Sequence, residues 1–196
     1  VASGAVRQLT SRKGPGSNAL PSPDGKLIAY TGDHCHQDTH RDQKIYVMGR
    51  DGSNPRVISG DFDRPSGSFI WAPDASGLYF VASDAGSSNV HFVAVSGGVR
   101  KVTEGVHMLG ISSLSAAGTL VGTRSAFHEP GDVVAFDVKR PREIERLTSV
   151  NEDVLAGVKL GEVEEIWYES VDALRIQGWI VKPPDFDPAK KYPLML

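Results

Sequence analysis

The sequence predicts an all-β protein, a partial β-propeller of about three four-stranded blades plus a flanking strand, followed by a linker β-hairpin. The main observation is a unit of turn, two apolar strands, a second turn and a short closing strand, which occurs three times. The closing residues Thr10, Ser59, Thr103 and Thr148 are 49, 44 and 45 positions apart, a period typical of propeller blades. Gly or Pro marks the junctions, and strands apolar on both faces favour blades packed between neighbours.

The first copy of the unit shows the pattern most clearly. A Ser-Pro-Asp-Gly turn at 22–25 leads into the strand KLIAYTG at 26–32. The strand QKIYVM at 43–48, an Asp-Gly turn at 51–52 and RVIS at 56–59 complete it. Alternate residues of 26–32 face opposite sides and both sets are mostly apolar, so we expect both faces of this strand to be covered.

The other two copies follow the same order, although the third is fainter and has Ser-Ala-Ala-Gly at its turn. The second copy has turn residues at 72–77 and strands at 78–83, 89–95 and 99–103, and the third has turn residues at 115–118 and strands at 119–123, 132–138 and 144–148. Residues 6–10, VRQLT, match a closing strand alone. Closed propellers have about four to eight blades, so we expect two apolar flanks that require neighbours.

Composition excludes several classes of function. The net charge is −3 and the basic residues are scattered, which gives no electrostatic support for nucleic-acid binding. No stretch approaches the roughly 18 apolar residues of a membrane span. Cys35 is the single cysteine, so no internal disulfide can form, and we expect a cytoplasmic protein. The chain starts at Val1 without Met and stops within an apolar strand pattern, so we interpret it as a fragment of a longer protein.

After the third copy the pattern changes, and we predict a domain boundary between 1–160 and 161–196. The second part carries Glu-x-Ile-x-Tyr at 164–168, Ile-Gln-Gly-Trp-Ile at 176–180 and Lys-Pro-Pro at 182–184, followed by Lys-Tyr-Pro-Leu at 191–194. It resembles the segment that joins the propeller to the α/β-hydrolase domain in the prolyl oligopeptidase family of serine peptidases, especially its acylaminoacyl-peptidase-like branch. One departure is Asp172-Ala173 in place of the Asp-Gly turn of the family, so we expect a different turn type.

The resemblance implies a two-domain peptidase that hydrolyses short or N-acylated peptides. A hydrolase domain absent from this chain would supply the Ser, Asp and His of the triad and the oxyanion hole, and the propeller would restrict access to the site. No window matches the Gly-x-Ser-x-Gly nucleophile elbow; Gly16-Ser17 and Ser112-Ser113 lack the second Gly. We therefore predict no catalytic residue and no cofactor in this chain. The expected partners are the hydrolase domain, the remaining blades and a peptide substrate, with homo-oligomers possible in principle.

One loop carries residue types that could bind a metal. Residues 33–40 read DHCHQDTH between two strands of the first copy. Imidazole, thiol and carboxylate groups are zinc ligands, and His36 and His40 could meet on one helical turn. In an extended chain His34 and His36 would point to opposite faces, and no second Cys or His pair completes a structural site. We predict a polar surface loop without a stoichiometric metal.

Three further sets of residues have structural interpretations. Trp71, Trp167 and Trp179 could form a stacking platform, but aromatic residues more often fill cores, so we predict core packing. The acidic pair at 164–165 is interpreted as a solvated strand edge. The arginines that recur before the closing residues are interpreted as exposed charges that discourage edge pairing; they are Arg7, Arg56, Arg100 and Arg146.

Two alternatives belong to other classes of protein. The first is a stand-alone interaction propeller, similar to the periplasmic propeller of the Tol system, whose repeats also carry Ser-Pro-Asp-Gly turns. Residues 162–196 argue against it, because a free-standing propeller has no use for that exit hairpin. The second is a half-propeller that pairs with another copy of itself to approximate a closed ring.

Overall fold

The computed structural model describes residues 4–33, 43–64 and 66–195, which fold mainly into antiparallel β-sheets. Blade 1 consists of β1 (Gly16–Pro21), β2 (Leu27–Gly32), β3 (Lys44–Gly49) and β4 (Arg56–Val57). Blade 2 consists of β5 (Ser66–Trp71), β6 (Gly77–Asp84), β7 (Ser87–Ala94) and β8 (Val99–Lys101). Blade 3 consists of β9 (Met108–Leu114), β10 (Thr119–Ala126), β11 (Glu129–Asp137) and β12 (Glu145–Arg146). The predicted partial propeller is confirmed.

Each blade is an antiparallel meander, in which every strand pairs with the next one along the chain. Blades 2 and 3 are linked where Ser88 pairs with Met108 in a parallel bridge, supported by a bond from Ser88 N to His107 O at 2.8 Å. A short helix α1 (Glu152–Leu155) follows blade 3. The exit hairpin then consists of β13 (Val163–Glu169), a turn (Val171–Ala173) and β14 (Arg175–Val181).

Strand β6 explains why the blade strands are apolar on both faces. Leu78 and Phe80 lie in the core between blades 1 and 2, whereas Tyr79 and Val81 lie in the core between blades 2 and 3. Leu78 and Phe80 are fully buried and Tyr79 is nearly so. A strand in a middle blade therefore has no solvent face, because its two sets of alternating side chains pack against different neighbours.

The residue before each closing position packs towards the following blade. Ile58 lies in the core between blades 1 and 2, and Val102 lies in the core between blades 2 and 3. Leu9, at the equivalent position before Thr10, packs against Tyr30 and its neighbours on the outer face of blade 1. Leu147, which has no following blade in this chain, is half exposed. Residues 6–10 thus occupy the place of a preceding closing strand.

Two expectations from the sequence need correction at the flanks. Residues 6–10 do not form a strand, since no preceding blade is present to pair with them. The outer face of blade 1, which includes Tyr30 and Tyr46, is covered by Leu9 and by the Arg12 guanidinium, 4.8 Å from the centre of the Tyr46 ring. The outer face of blade 3 carries Val121, Thr123, Val133 and Ala135, and Leu147 at its edge is half exposed, so this flank is partly apolar as expected.

The closing hydroxyls explain why the unit ends in Ser or Thr. Ser59 Oγ accepts a hydrogen bond from Ile45 N at 3.0 Å, and Thr103 Oγ1 accepts one from Val90 N at 2.9 Å. Thr148 Oγ1 accepts from Val133 N at 2.9 Å. In each blade the hydroxyl thus pairs with a third-strand amide that the short outer strand leaves without a backbone partner. The period visible in the sequence is the period of this bond.

The turns of the unit are closed by aspartate side chains. Asp24 accepts hydrogen bonds from Ser22 Oγ at 2.6 Å and Lys26 N at 3.1 Å, and Asp74 accepts from Ser76 N at 3.0 Å and Ser76 Oγ at 2.6 Å. These bonds favour the ionised carboxylate, and the serine hydroxyl bonds are the largest cause that holds the pKa of Asp24 and of Asp74 below the usual range. The Pro-Asp turns are therefore built around charged aspartates.

Acid is expected to destabilise the blades through these turns. A lowered folded-state pKa means that the stabilisation is complete above the ordinary carboxyl pKa of about 3.9 and is lost as the pH falls through the folded-state value. Urea unfolding from pH 6 to pH 2.5 should show this loss. We expect it to be reduced in the double variant Asp24→Asn/Asp74→Asn and unchanged in Asp153→Asn, which alters an exposed residue of α1. Equal acid sensitivity of the double variant and the parent protein would contradict this role.

Candidate functional site at the seat of the exit hairpin

The hairpin-bearing face of the propeller is defined by the connections between the second and third strands of the blades. In blade 2 this connection is the two-residue turn 85–86, and in blade 3 it is the two-residue turn 127–128. In blade 1 it spans eleven residues, 33–43, between Gly32 and Lys44, which pair with each other. The exit hairpin contacts the two short turns, so this face is the one on which the chain leaves the propeller.

The hairpin seat consists of the two short turns that receive the hairpin. The indole ring of Trp179 lies directly over Gly86, where a β-carbon would collide with it. The rings of Trp179 and Phe127 are 6.3 Å apart between centroids. Gly86 has φ of +65°, so this position requires glycine both for its backbone and for the space that the indole occupies.

Two hydrogen bonds complete the hairpin seat. Gln177 Nε2 donates to Ala85 O at 3.2 Å, and His128 Nε2 donates to Gly161 O at 2.6 Å. The first joins β14 to blade 2, and the second joins the turn of blade 3 to the segment that precedes β13. Because the partners are 92 and 33 residues apart, the hairpin is bound to the two blades independently of its covalent link.

The prediction of core packing is confirmed for one tryptophan and wrong for two. Trp71 is buried, and its Nε1 donates to Leu20 O at 3.0 Å. Trp167 is 46% exposed and Trp179 is 38% exposed. Trp167 instead lies 5.0 Å from the Arg175 guanidinium and donates from Nε1 to Glu165 at 2.6 Å. The hairpin is only two strands wide and is not flanked by blades, so its aromatic side chains remain at the surface.

The hairpin turn contains two residues with left-handed backbone conformations. Asp172 and Ala173 have φ of +60° and +57°, which is the pair of left-handed residues that a type I′ turn requires. Ala173 thus takes a conformation that glycine favours, and the expected difference in turn type from the family stays a prediction. Strand pairing keeps a regular register from Val163–Val181 to Glu169–Arg175, and this register holds the alanine in a conformation that it rarely adopts.

Charges on the exposed edge of the hairpin are paired. Lys182 Nζ lies 2.8 Å from Glu164 and 3.3 Å from Glu162, and hydrogen bonding to Glu164 is the largest cause that raises the pKa of Lys182. Glu165 accepts from Gln177 Nε2 at 2.9 Å. The acidic pair is exposed, as predicted from the sequence, and it also orients the side chains that lead to the hairpin seat.

The side chains of the recurring arginines contact other parts of the chain and are not merely exposed charges. Arg7 donates to Asp51 O at 2.8 Å, and Arg56 donates to Val95 O at 3.1 Å. Both acceptors lie in the turn between the third and fourth strands of the blade that follows the arginine. Arg100 lies over the ring of Phe92, and Arg146 donates to Asp132 at 2.9 Å and to Thr148 O at 2.7 Å. Their side chains therefore contribute contacts that the sequence pattern alone did not indicate.

The other candidate residues have structural roles or lie outside the described residues. Residues 34–40 of the histidine-rich loop lie outside the described ranges. In those ranges, no group of three or more potential metal-binding His, Cys, Asp or Glu residues is present. Ser17 Oγ shares a hydrogen bond with Thr31 Oγ1 at 2.9 Å, and Ser112 and Ser113 are exposed on β9. The absence of catalytic residues from the chain stays a prediction.

The sequence reasoning missed the turn residues Phe127 and His128. Short hairpin turns favour Asn, Asp and Gly, so an aromatic pair at such a position is unusual and could have indicated a contact surface. It would not have identified the partner.

The parts of the chain that the structure describes hold no helix of the length and apolarity needed to cross a membrane.

Comparisons with known proteins show similarity to peptidases over most of this chain. No protein-family model matches the chain. Dipeptidyl-peptidase 5 of Porphyromonas gingivalis is 28% identical over 89% of this chain and 25% of its own length, and a probable dipeptidyl-peptidase 5 of Aspergillus niger is 30% identical over 93% and 25%. The acylaminoacyl peptidase of Pyrococcus horikoshii superposes on 84% of this chain and 25% of its own, with 26% identity and a TM-score of 0.67.

These similarities define the chain as a peptidase-type β-propeller with an exit hairpin. The similarity to these peptidases supports the resemblance to the prolyl oligopeptidase family that the residues of the exit segment carry. The chain spans about a quarter of the length of the curated relatives it matches.

Proposed function

We propose that this chain is the non-catalytic, substrate-access portion of a serine peptidase that hydrolyses short or N-acylated peptides. The observation that carries the proposal is the docking of the exit hairpin on two blade turns through Trp179 and Gln177. A hairpin fixed at this place makes the chain leave the propeller on the hairpin-bearing face, and the described residues 182–195 form no further strand, in contrast to the strand expected from the apolar pattern at their end. A hydrolase domain that follows them would lie over that face.

In this proposal the propeller acts by exclusion rather than by chemistry. The blades are joined by buried cores, so their loops form a stiff rim that admits a short or unfolded chain more readily than a folded protein. Residues 1–160 would form this rim, and residues 161–196 would lead into the hydrolase domain. That domain would supply the Ser nucleophile, the His base and the oxyanion hole.

The substrate class rests on the relatives. They are dipeptidyl-peptidases and an acylaminoacyl peptidase by name, which supports short peptides and N-acylated peptides as the substrates of the whole protein. The hydrolase domain and the remaining blades are the proposed partners. A cytoplasmic location is proposed only from the single cysteine.

The hairpin seat offers a direct test of access control. The experiment uses a polypeptide in which this chain continues into a hydrolase domain carrying Gly-x-Ser-x-Gly. Trp179→Ala removes the indole from Gly86 and Phe127, and a loss of about 1 kcal/mol would shift an opening equilibrium roughly fivefold. We expect cleavage of a long peptide to rise by about that factor relative to a dipeptide substrate.

The matched control is Trp167→Ala, because Trp167 is similarly exposed but contacts Arg175 and Glu165 within the hairpin. It should leave the ratio of long to short substrate unchanged. An unchanged ratio in Trp179→Ala, or an equal rise in both variants, would contradict access control through the hairpin seat.

The non-catalytic role is tested on the chain by itself. We expect no hydrolysis of aminoacyl or acyl-peptide chromogenic substrates and no labelling by a fluorophosphonate. Turnover that persists on repurification and is blocked by the fluorophosphonate would require a nucleophile within these 196 residues.

A self-paired half-propeller is a separate candidate, and light scattering that gives a folded monomer of 21.1 kDa would exclude it.

A further inference from the structure

Among the described residues, the backbones of blades 2 and 3 meet at one short pairing beside the hairpin seat. Ser88 N donates to His107 O at 2.8 Å, and Asn89 Nδ2 donates to Gly105 O at 3.1 Å. Residues 105–108, which we call the joint segment, are therefore bound to β7 by hydrogen bonds at two points. These bonds hold the entry to blade 3 against blade 2.

The joint segment and the hairpin seat border the same cavity. This cavity has a volume of about 200 Å³ and is lined by residues of both, namely Gly86, Val106, His107, Met108 and Phe127. Gly86 and Phe127 are the residues that contact the Trp179 ring, and Gly86 precedes Ser88 by two positions. A movement of the joint segment thus has space to occur and reaches the hairpin seat through a short stretch of chain.

The imidazole of His107 lies in the joint with one nitrogen unsatisfied. Its Nε2 is buried and has no hydrogen-bond partner among the described residues. The ring packs on Gly105, where a β-carbon would lie 2.5 Å from Nδ1. A neutral imidazole can carry its proton on Nδ1 and leave only a lone pair at Nε2, whereas a protonated imidazole has an N–H group at both nitrogens. Protonation therefore adds an unpaired buried donor and a charge to the closed joint.

The charged groups around His107 also oppose its protonation. Lys101 of β8 and Arg124 of β10 are positive, and the carboxylate of Glu129 on β11 lies 2.8 Å from Arg124. Residues 85–89, which lead into β7, contain no ionisable side chain. Burial is the largest cause that holds the pKa of His107 below its ordinary value of 6.5, so the imidazole is neutral at pH 7.

Two other described histidines are placed differently. His128 donates from Nε2 to Gly161 O at 2.6 Å, and a second proton on Nδ1 would leave this bond of the hairpin seat in place. The ring of His91 contacts Phe62 and Phe80 at the core between blades 1 and 2, and burial lowers its pKa as well. An effect of acid on His91 would therefore act on a different pair of blades.

We propose that His107 is an acid-sensitive switch, whose protonation releases the joint segment from β7 and loosens the hairpin seat. Release exposes the imidazole to water, which supplies the hydration and the hydrogen bond that the closed joint denies to the protonated ring. The switch rests on the hairpin seat of the proposed function, because it names the condition under which that seat loosens.

Linkage sets the pH range of the switch. In the open joint His107 has an ordinary pKa of about 6.5, and in the closed joint its pKa is lower. The closed joint is therefore fully favoured above pH 6.5, because neither state then gains a proton. Below pH 6.5 the ratio of open to closed joint rises by up to tenfold per pH unit, until the closed-state pKa is reached.

Amide hydrogen exchange from pH 7.5 to pH 5, corrected for the intrinsic rate at each pH, measures this opening on the chain by itself. The Ser88 amide, which donates to His107 O, should lose protection by up to tenfold per pH unit below about 6.5. The Val133 amide of blade 3 is the internal control and should change by less than twofold. The Ile45 amide of blade 1 reports on the core beside His91.

Variants at His107 separate its charge from its packing. His107→Gln cannot be protonated and should keep the protection of the Ser88 amide within twofold over the whole pH range. His107→Arg is charged throughout and should lower this protection at least tenfold already at pH 7.5.

The coupling of the joint to the hairpin seat is tested from the other side. Because coupling between two sites is reciprocal, Trp179→Ala should lower the protection of the Ser88 amide at pH 7.5 by about fivefold. Trp167→Ala, which alters contacts within the hairpin, should leave it within twofold. Equal protection in these two variants would show that the joint and the seat are independent and would contradict the switch.

Three further results would overturn the switch. They are constant protection of the Ser88 amide from pH 7.5 to pH 5, an equal loss in the parent and in His107→Gln, and an equal loss at Ser88 and Val133. If His107→Gln does not fold, the comparison of Ser88 with Val133 in the parent chain still decides the question. None of these measurements uses catalysis: a failed switch leaves exclusion by the propeller intact, and an inactive extended protein would refute the peptidase role without affecting the switch.

Discussion

Replacing Phe80 with alanine is expected to lower the free energy of unfolding by about 3–5 kcal/mol. Phe80 is fully buried in the core between blades 1 and 2. Its ring contacts Phe62 edge-on at 5.6 Å and stacks on His91 at 5.6 Å between centroids. The substitution removes the apolar burial and both ring contacts, and it leaves a cavity that the flanking strands cannot close.

Equilibrium urea denaturation measures this loss. Because domains of this size have total stabilities of about 5–15 kcal/mol, the variant should unfold at a much lower midpoint. Phe186→Ala is the control: Phe186 is 39% exposed and packs on Tyr192 outside the blades, so it should cost less than about 1 kcal/mol. A loss below 1.5 kcal/mol for Phe80→Ala would show that the two blades do not share one close-packed core.

Replacing Thr103 with valine is expected to cost about 1–3 kcal/mol although the two side chains have nearly the same shape. Thr103 is 1% exposed; its hydroxyl accepts from Val90 N and donates to Asn89 Oδ1 at 3.1 Å. Valine would leave this amide and this carbonyl oxygen buried without their partner. Amide hydrogen exchange at Val90 should accelerate along with the fall in stability.

Thr123→Val makes the same chemical change at an exposed position of β10. It should alter stability by no more than about 0.5 kcal/mol. If Thr103→Val and Thr123→Val are equally mild, the recurrence of Ser and Thr at the closing positions has a cause other than this hydrogen bond.

The blade architecture could be predicted from the sequence because it is local and repeated. The spacing of Ser59, Thr103 and Thr148 reports a hydrogen bond that occurs once per blade, and the Pro-Asp turns report a side-chain bond within a few residues. The apolar character of both faces of 78–83 follows from packing against two neighbouring blades. Each of these signals lies within one unit of the chain and is confirmed by recurrence.

The hairpin seat could not be predicted in the same way. The bond between Gln177 and Ala85 joins residues 92 positions apart, and no repeat relates them. The exposure of Trp167 depends on the lack of a neighbouring sheet, which composition does not reveal. Ala173 adopts a positive φ because the regular strand pairing on both sides imposes the turn, and this tertiary constraint overrides the preference of the residue.

The place at which Trp179 rests has a mechanical consequence. One side of the indole touches Gly86 in blade 2, and the other approaches Phe127 in blade 3. The indole therefore bridges two blades that are separate sheets except at one short pairing. We expect any change in the separation of these blades to alter the contacts of the ring and so to weaken the attachment of the hairpin.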